Sequence, residues 1–354
     1  MRLAATSRTP NVSVLLSRKR VNSSLKKKPP QDLAFIMWAF IRNVRSFACI
    51  AAIAIGIFGR QDSSWAAYPT LGNYNLVSQF DALPNPGDNA TNFSGIAYRT
   101  ETQSLYIIDN QSTRIYEYTT AGAYMRRISL SNFADVEGIV FMGGNTFAVI
   151  EEGNKSITRL SITDSPSNVT IAKSSGVTLT PNLAGDFGNS GLEDLAYDSA
   201  NNTFYVVKEK TPASGSTLAK GVYQVDNPSG GGTATTSLLS EVTATVSPLA
   251  TDLSGIFFNN QSDGHLYVLS DESKLLLELT LNGALIDSLV LPSSFSQPEG
   301  VTFSPDGHEL FIVGENRELL HYHATPEPSA LLLVAIGGLL MLARERKKRC
   351  VVAR

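Results

Sequence analysis

Two sets of oxygen-bearing side chains recur at spacings that a repeating fold would gather into one place. The first is a Ser or Glu opening a short apolar motif: Ser94-Gly95-Ile96-Ala97-Tyr98, Glu137-Gly138-Ile139-Val140-Phe141, Glu193-Asp194-Leu195-Ala196-Tyr197, Ser254-Gly255-Ile256-Phe257-Phe258 and Glu299-Gly300-Val301-Thr302-Phe303. The second is an acidic residue met at the end of the following β-rich run: Asp109, Glu151, Glu209, Asp271 and Glu315. Asn92, Asp135 and Asp252 sit two residues ahead of the first set. Carboxylate and amide oxygens are the ligands that a hard cation such as Ca2+ demands. Carboxylates crowded together repel one another unless they are protonated or paired with cations. Three chemistries follow and stay open at this level. Lys155, Lys208, Lys274, Arg114 and Arg317 could make the acids into structural ion pairs. A Ca2+ could be held by Glu137, Glu193 and Glu299 as core ligands, with Asp109, Glu151, Glu209, Asp271 and Glu315 around them. A cationic ligand could take the same place.

Catalytic signatures are sparse. The four histidines, His265, His308, His321 and His323, fall in strand-one-to-strand-two turns or on the third strand of the last repeat. None is placed to reach the acidic positions, so the usual general base with a pKa near neutrality is missing there. The chain also has no Gly-x-Ser-x-Gly, His-Glu-x-x-His or Gly-rich phosphate-loop motif.

The elements that must position these residues repeat. After each opening motif comes a turn, then a β-rich run (Leu105–Ile108, Phe147–Ile150, Phe204–Val207, Leu266–Leu269, Leu310–Val313), then the acidic residue, then a third strand. Where a fourth strand is legible it follows a Gly turn, at Gly122 and at Gly283. The units begin at 94, 137, 193, 254 and 299. Four short strands at that period predict an all-β fold, a β-propeller of four-stranded blades. Five blades are expected, with six as the alternative if the Gly/Ser/Thr-rich stretch 211–250 hides another. The last repeat lacks its fourth strand, and Tyr74–Phe80 lacks a partner. The N-terminal strand is therefore expected to close the last blade and remove an exposed edge. In a propeller, the start of strand one and the end of strand two open on the same face, so both acidic sets should ring one mouth of the channel.

Charge is distributed in three regions. Of 354 residues, 67–326 hold 12 Lys/Arg against 28 Asp/Glu, a net charge of −16 that excludes the basic footprint of a nucleic-acid binder. Cys49 and Cys350 both lie outside that region, so the body has no disulfide and no thiolate metal site. Residues 1–66 read as a leader with a secretory signal peptide. Arg42 and Arg45 precede the apolar run Ser46–Gly59, and small residues near Ala66 offer a site for signal peptidase. The run is too short to span a bilayer, and its proportions point to Met37 as the start. Residues 67–325 form the expected propeller domain. At the end, Pro326-Glu327-Pro328, the apolar run Ser329–Ala343 and a basic cluster complete a sorting or anchor segment over 326–354.

That last order resembles the PEP-CTERM sorting signal. The resemblance implies processing by exosortase, a membrane enzyme, after transient anchoring. The chain is then expected to be exported across the cytoplasmic membrane and delivered to the cell surface or secreted. The successions Ser94-Gly95-Ile96…Asp109-Asn110, Asp135-Val136-Glu137-Gly138-Ile139…Glu151-Glu152 and Asp252-Leu253-Ser254-Gly255-Ile256…Asp271…Gln297-Pro298-Glu299-Gly300-Val301 resemble the SdiA-regulated family of exported bacterial propellers, over roughly 75–323. The resemblance implies a propeller in the periplasm or at the cell surface; the first reading of its role is a non-catalytic propeller that binds a ligand, exopolysaccharide or another envelope component. The Glu-Gly-hydrophobic unit is also similar to that of gluconolactonase-type propellers, whose channel Ca2+ serves ester or lactone hydrolysis. That implies the alternative, a Ca2+-dependent esterase or lactonase. This chain departs from the hydrolytic members in having no histidine near the acids.

Overall fold

The computed structural model describes residues 68–82, 88, 90–165, 167–184, 190–210, 218–261, 264–325 and 338. The signal peptide read at 1–66 and the sorting segment read at 326–354, apart from Gly338, lie outside the described residues. No helix among them is long and apolar enough to cross a membrane.

Five small sheets, each built around antiparallel strands, carry the repeats. After β1 (Tyr74–Asp81), the first blade is β2 (Phe93–Arg99), β3 (Ser104–Asp109), β4 (Arg114–Thr119) and β5 (Tyr124–Ser131). The second begins with β6 (Val136–Gly143), β7 (Thr146–Glu151) and β8 (Ser156–Ser161). The chain then runs through β9 (Val169–Ala172), which pairs back onto β5, before β10 (Val177–Pro181) finishes the second blade. The third is β11 (Leu192–Asp198), β12 (Thr203–Lys208), β13 (Gly221–Asp226) and, past β14 (Gly232–Ala234), β15 (Thr236–Leu238). A short helix, α1 (Ser240–Val246), leads to β16 (Gly255–Phe258), β17 (His265–Ser270), β18 (Leu275–Thr280) and β19 (Leu285–Val290). The fifth is β20 (Pro298–Phe303), β21 (Glu309–Gly314) and β22 (Glu318–Ala324).

The first strand closes the ring as expected. β1 runs antiparallel to β22, from Tyr74 opposite Ala324 to Asp81 opposite Glu318. The described part of the stretch 211–250 holds no sixth blade. It holds β13, then β14, which pairs parallel with β10 of the preceding blade, the outer strand β15, and α1. Val242 and Val246 of α1 pack into the layer between the third and fourth blades.

Why the sheets stand upright around an axis follows from burial. Middle strands are apolar between their ends, as at Leu105–Ile108 and Phe204–Val207, and β3 and β12 have every residue buried. Such strands need cover on both faces, and here a neighbouring blade supplies it on each side. Five apolar clusters result, one per interface between blades. The last contains Ile96, Leu105 and Tyr116 of the first blade against Phe311, Val313 and Leu319 of the fifth. Each fully buried aliphatic or aromatic side chain in these layers contributes about 1.5–3 kcal/mol.

At the axis the five innermost strands approach until their backbones touch. A Cβ on Gly95 would lie 2.8 Å from the Glu137 carbonyl oxygen, one on Gly300 would lie 2.9 Å from the Gly95 Cα, and one on Gly255 would lie 2.7 Å from the Glu299 carbonyl oxygen. Only glycine fits there. In the third repeat Asp194 stands at the glycine position. Its carboxylate is buried against Gly138 and accepts the Ile256 N–H across the gap to β16 at 3.0 Å. Burial pushes its pKa well up. This waist divides the axial space into an upper and a lower cavity.

Candidate functional site: an acidic mouth on the propeller axis

The upper cavity, about 280 Å3, lies where strands one begin and strands two end. A shared backbone device aims the first acidic set into it. In four blades strand one carries a β-bulge, with register shifts at Phe93/Gly95, Val136/Gly138, Leu192/Asp194 and Pro298/Gly300. The extra residues are Ser94, Glu137, Glu193 and Glu299. A bulged residue loses its ladder partner and its side chain is re-aimed. Ser254 takes the corresponding place just ahead of β16. All five line the cavity.

The second set divides. Glu209, Asp271 and Glu315 line the cavity, whereas Asp109 and Glu151 do not. Both of the latter are fully buried and engaged in holding the chain together. Asp109 accepts the N–H groups of Thr91 (2.9 Å), Asn92 (3.0 Å) and Ser112 (2.6 Å). Glu151 accepts the Ala134 N–H at 2.9 Å and pairs with Lys173. They close strand two, where Lys208, Ser270 and Gly314 stand in the other blades, and there the side chain grips the loop entering strand one. Ser270 does likewise, donating its hydroxyl to Asp252. One residue further on, the first position of the turn faces the mouth, and in these two blades it is Asn110 and Glu152. Glu152 was missed by the sequence reading. Its signal was the doublet Glu151-Glu152, in which either acid could have been the ring member.

Eight carboxylates therefore face one small cavity: Glu137, Glu152, Glu193, Glu209, Asp252, Asp271, Glu299 and Glu315. Lys210 is the one cationic residue among its lining groups. It pairs with Glu209 and with Glu272, each at 2.8 Å. Lys274 pairs with Asp271 at 2.8 Å, and Arg317 turns away to Asp81 at 3.3 Å. Lys208, expected to neutralise the ring, donates its ammonium to the Ser190 carbonyl at 2.5 Å and also attracts Glu209, Glu193 and Glu152.

Ion pairs thus tie down Glu209 and Asp271 of the third and fourth blades, while burial and mutual repulsion dominate at Glu137, Glu152, Glu193 and Glu299. Burial pushes the Glu137 pKa up to about 8, against the Ser94 hydroxyl that bonds it and with the help of Glu152 and Asp135. Burial raises Glu152 to about 7, although Gly191 N–H donates to it. Glu193 is pushed well up by burial, then by Glu137 and Glu152, and Glu299 by burial, then by Glu193 and Asp271. Oxygens of Asp135, Glu137 and Glu152 come within 4.8 Å of one another, and Asn110 donates its amide to Glu137. Two ligands of one Ca2+ lie at most about 5 Å apart, twice the usual 2.3–2.6 Å bond, so these three can share an ion. None of the four histidines lines the cavity. His265 pairs with Glu278, and His321 and His323 flank Glu309 on the outer part of the last blade.

Among solved structures, the chain is similar to a luciferin-regenerating enzyme, with 15% identity over 67% of this chain and 92% of that one and a TM-score of 0.42. It is similar to a gluconolactonase from Xanthomonas campestris, with 15% identity over 72% of this chain and 91% of that one and a TM-score of 0.43. A third is the β-propeller domain of Cps50 (Swd1) from Myceliophteria thermophila, with 10% identity, 72% and 69% coverage and a TM-score of 0.39. The family model described as SdiA-regulated matches residues 73–322, from just before β1 to within β22 and so through every blade that builds the mouth. The chain belongs to the SdiA-regulated family.

Proposed function

We propose that this chain is an exported, non-catalytic binding propeller whose acidic mouth holds a Ca2+ ion, and that the ion's remaining coordination sites receive an oxygen-rich envelope partner such as an exopolysaccharide. One observation carries the reading. Glu137, Glu152, Glu193 and Glu299 are desolvated and raise one another's pKa values, and burial outweighs the attraction of Lys208 for Glu152. A fold that assembles such a group through repeated β-bulges is paying a cost that a bound divalent cation repays. The donors are all oxygen, including an amide, and the ring is wide and irregular. That suits Ca2+, with its 6–8 flexible ligands, better than Mg2+, which requires a tight octahedron. Asp135, Glu137 and Glu152 would hold the ion, with Glu193 and Glu299 supplying further charge. Export and release to the surface rest on the N-terminal and C-terminal segments and form part of the proposal.

Calorimetric titration of the chelator-treated protein with Ca2+ tests the reading. Binding is expected, weakened at least tenfold by Glu152→Gln and by Glu193→Gln. The neighbouring Glu151→Gln should behave oppositely. It leaves Ca2+ affinity within about twofold but removes the charge of buried Glu151 that pairs with Lys173, lowering stability by about 2 kcal/mol. Absence of any Ca2+ heat, with no change in thermal stability, would leave the carboxylates as structural acids and end the proposal. The hydrolase alternative is decided by the same samples. Chelator-sensitive turnover of chromogenic esters or lactones, lost in Glu299→Gln, would replace binding by catalysis.

A further inference from the structure

The other end of the axis is chemically the reverse of the acidic mouth. Below the glycine waist, strand one of every blade contributes to a cavity of about 220 Å3 whose lining contains no charged residue. Each repeat places an aromatic four residues after its mouth residue: Tyr98, Phe141, Tyr197, Phe258 and Phe303. Tyr68, ahead of the first strand, closes one side. Its ring stacks on Phe257 at 6.4 Å and tilts against Phe303 at 5.6 Å, while its hydroxyl bonds the Ser304 carbonyl at 3.0 Å. Tyr68, Tyr98, Phe141, Tyr197 and Phe257 pack against the blade cores but are only half-buried, so part of their aromatic surface stays open to the cavity.

We propose that this lower cavity is a second binding site, for a neutral, planar ligand of one or two aromatic rings. Size and lining select that class. An apolar cavity of about 150 Å3 takes benzene, and concave sites lined by aromatic groups with a few polar ones are where small ligands bind. The Tyr98 hydroxyl bonds to no other described residue and is free for one hydrogen bond. The carboxylates of Asp306 and Glu309 act on Tyr98 and disfavour an anion. The waist keeps this ligand apart from the acidic mouth, so the site is independent of the cation reading.

Indole, benzoate and benzyltrimethylammonium, matched in size, probe the site by calorimetry and saturation-transfer NMR, with and without chelator. Indole is expected to bind one to one whatever the Ca2+ content, and benzoate at least tenfold more weakly. Thr100→Trp, at an exposed position on the rim, should weaken indole at least tenfold without changing the melting temperature. Ala196→Leu, which fills the interior, should do the same if it folds. No indole binding by the wild-type protein, or binding unchanged in Thr100→Trp, would overturn the proposal. Tighter binding of the ammonium than of indole would overturn it in favour of a cation cage.

Discussion

Gly138→Val is expected to abolish or nearly abolish folding, an effect of more than about 4 kcal/mol, in the upper tail for single substitutions. A Cβ at this position would lie 2.4 Å from the Asp194 carboxylate and 2.7 Å from the Asp194 Cα. A carboxylate can swing aside, but a backbone locked in β11 cannot. The strands meeting at the waist also belong to all five blades, so a shift at one propagates around the ring. Gly230→Ala is the control, since nothing lies within 4 Å of its added methyl group, and its effect should stay within about 0.5 kcal/mol. Urea unfolding followed by circular dichroism measures both. A folded Gly138→Val protein within about 1 kcal/mol of wild type would show that the innermost strands are not in backbone contact. The axis would then be an open pore. Asp194→Gly tests the same geometry from the other side. It removes the buried carboxylate from the waist, so Gly138→Ala should cost less in that background than in the wild type.

The second large effect is a coupling of pH, Ca2+ and stability at the mouth. Glu137 titrates near 8 and Glu152 near 7 in the folded protein, against roughly 4.5 when unfolded. Between those values the native state keeps protons that the unfolded chain has released. Stability therefore falls as pH rises, by about 1.4 kcal/mol per unit for each such group. In chelator, the melting temperature is expected to decline from pH 5.5 to pH 8.5. Added Ca2+ should reverse the decline, and most strongly at the alkaline end, because the ion takes the place of the protons. At a hundredfold excess over Kd the ion contributes about 2.7 kcal/mol, or roughly 5–10 °C for a domain of this size. Glu137→Gln should flatten the chelated profile and reduce the Ca2+ response together. A profile unchanged by pH and by Ca2+ would mean that the carboxylates are solvated, and the proposed site would fail with them.

Much of this architecture could be read from the chain because each level of the repeat agrees with the next. Five opening motifs, apolar second strands and polar turns dictate five upright sheets, since strands apolar on both faces need two neighbours. The unpartnered first strand and the three-stranded last repeat are complementary defects, and β1 on β22 is their joint solution. The crossings of β9 and β14 onto preceding blades were not legible. These are three- and four-residue strands of mixed polarity, and only an exposed outer edge nearby makes them strands at all.

The mouth shows where local information stops. Composition and spacing alone determined that this chain carries a ring of acids with too few bases beside them, and that no histidine accompanies them. Which acid of a doublet joins the ring was decided by tertiary structure. Side chains alternate along a strand, so a shift of one residue exchanges a group that grips the core for one that faces solvent. Asp109 against Asn110 and Glu151 against Glu152 differ by that single step. The strand-one bulges set the corresponding step for Ser94, Glu137, Glu193 and Glu299, and the residues of one strand do not show where its register against a partner slips.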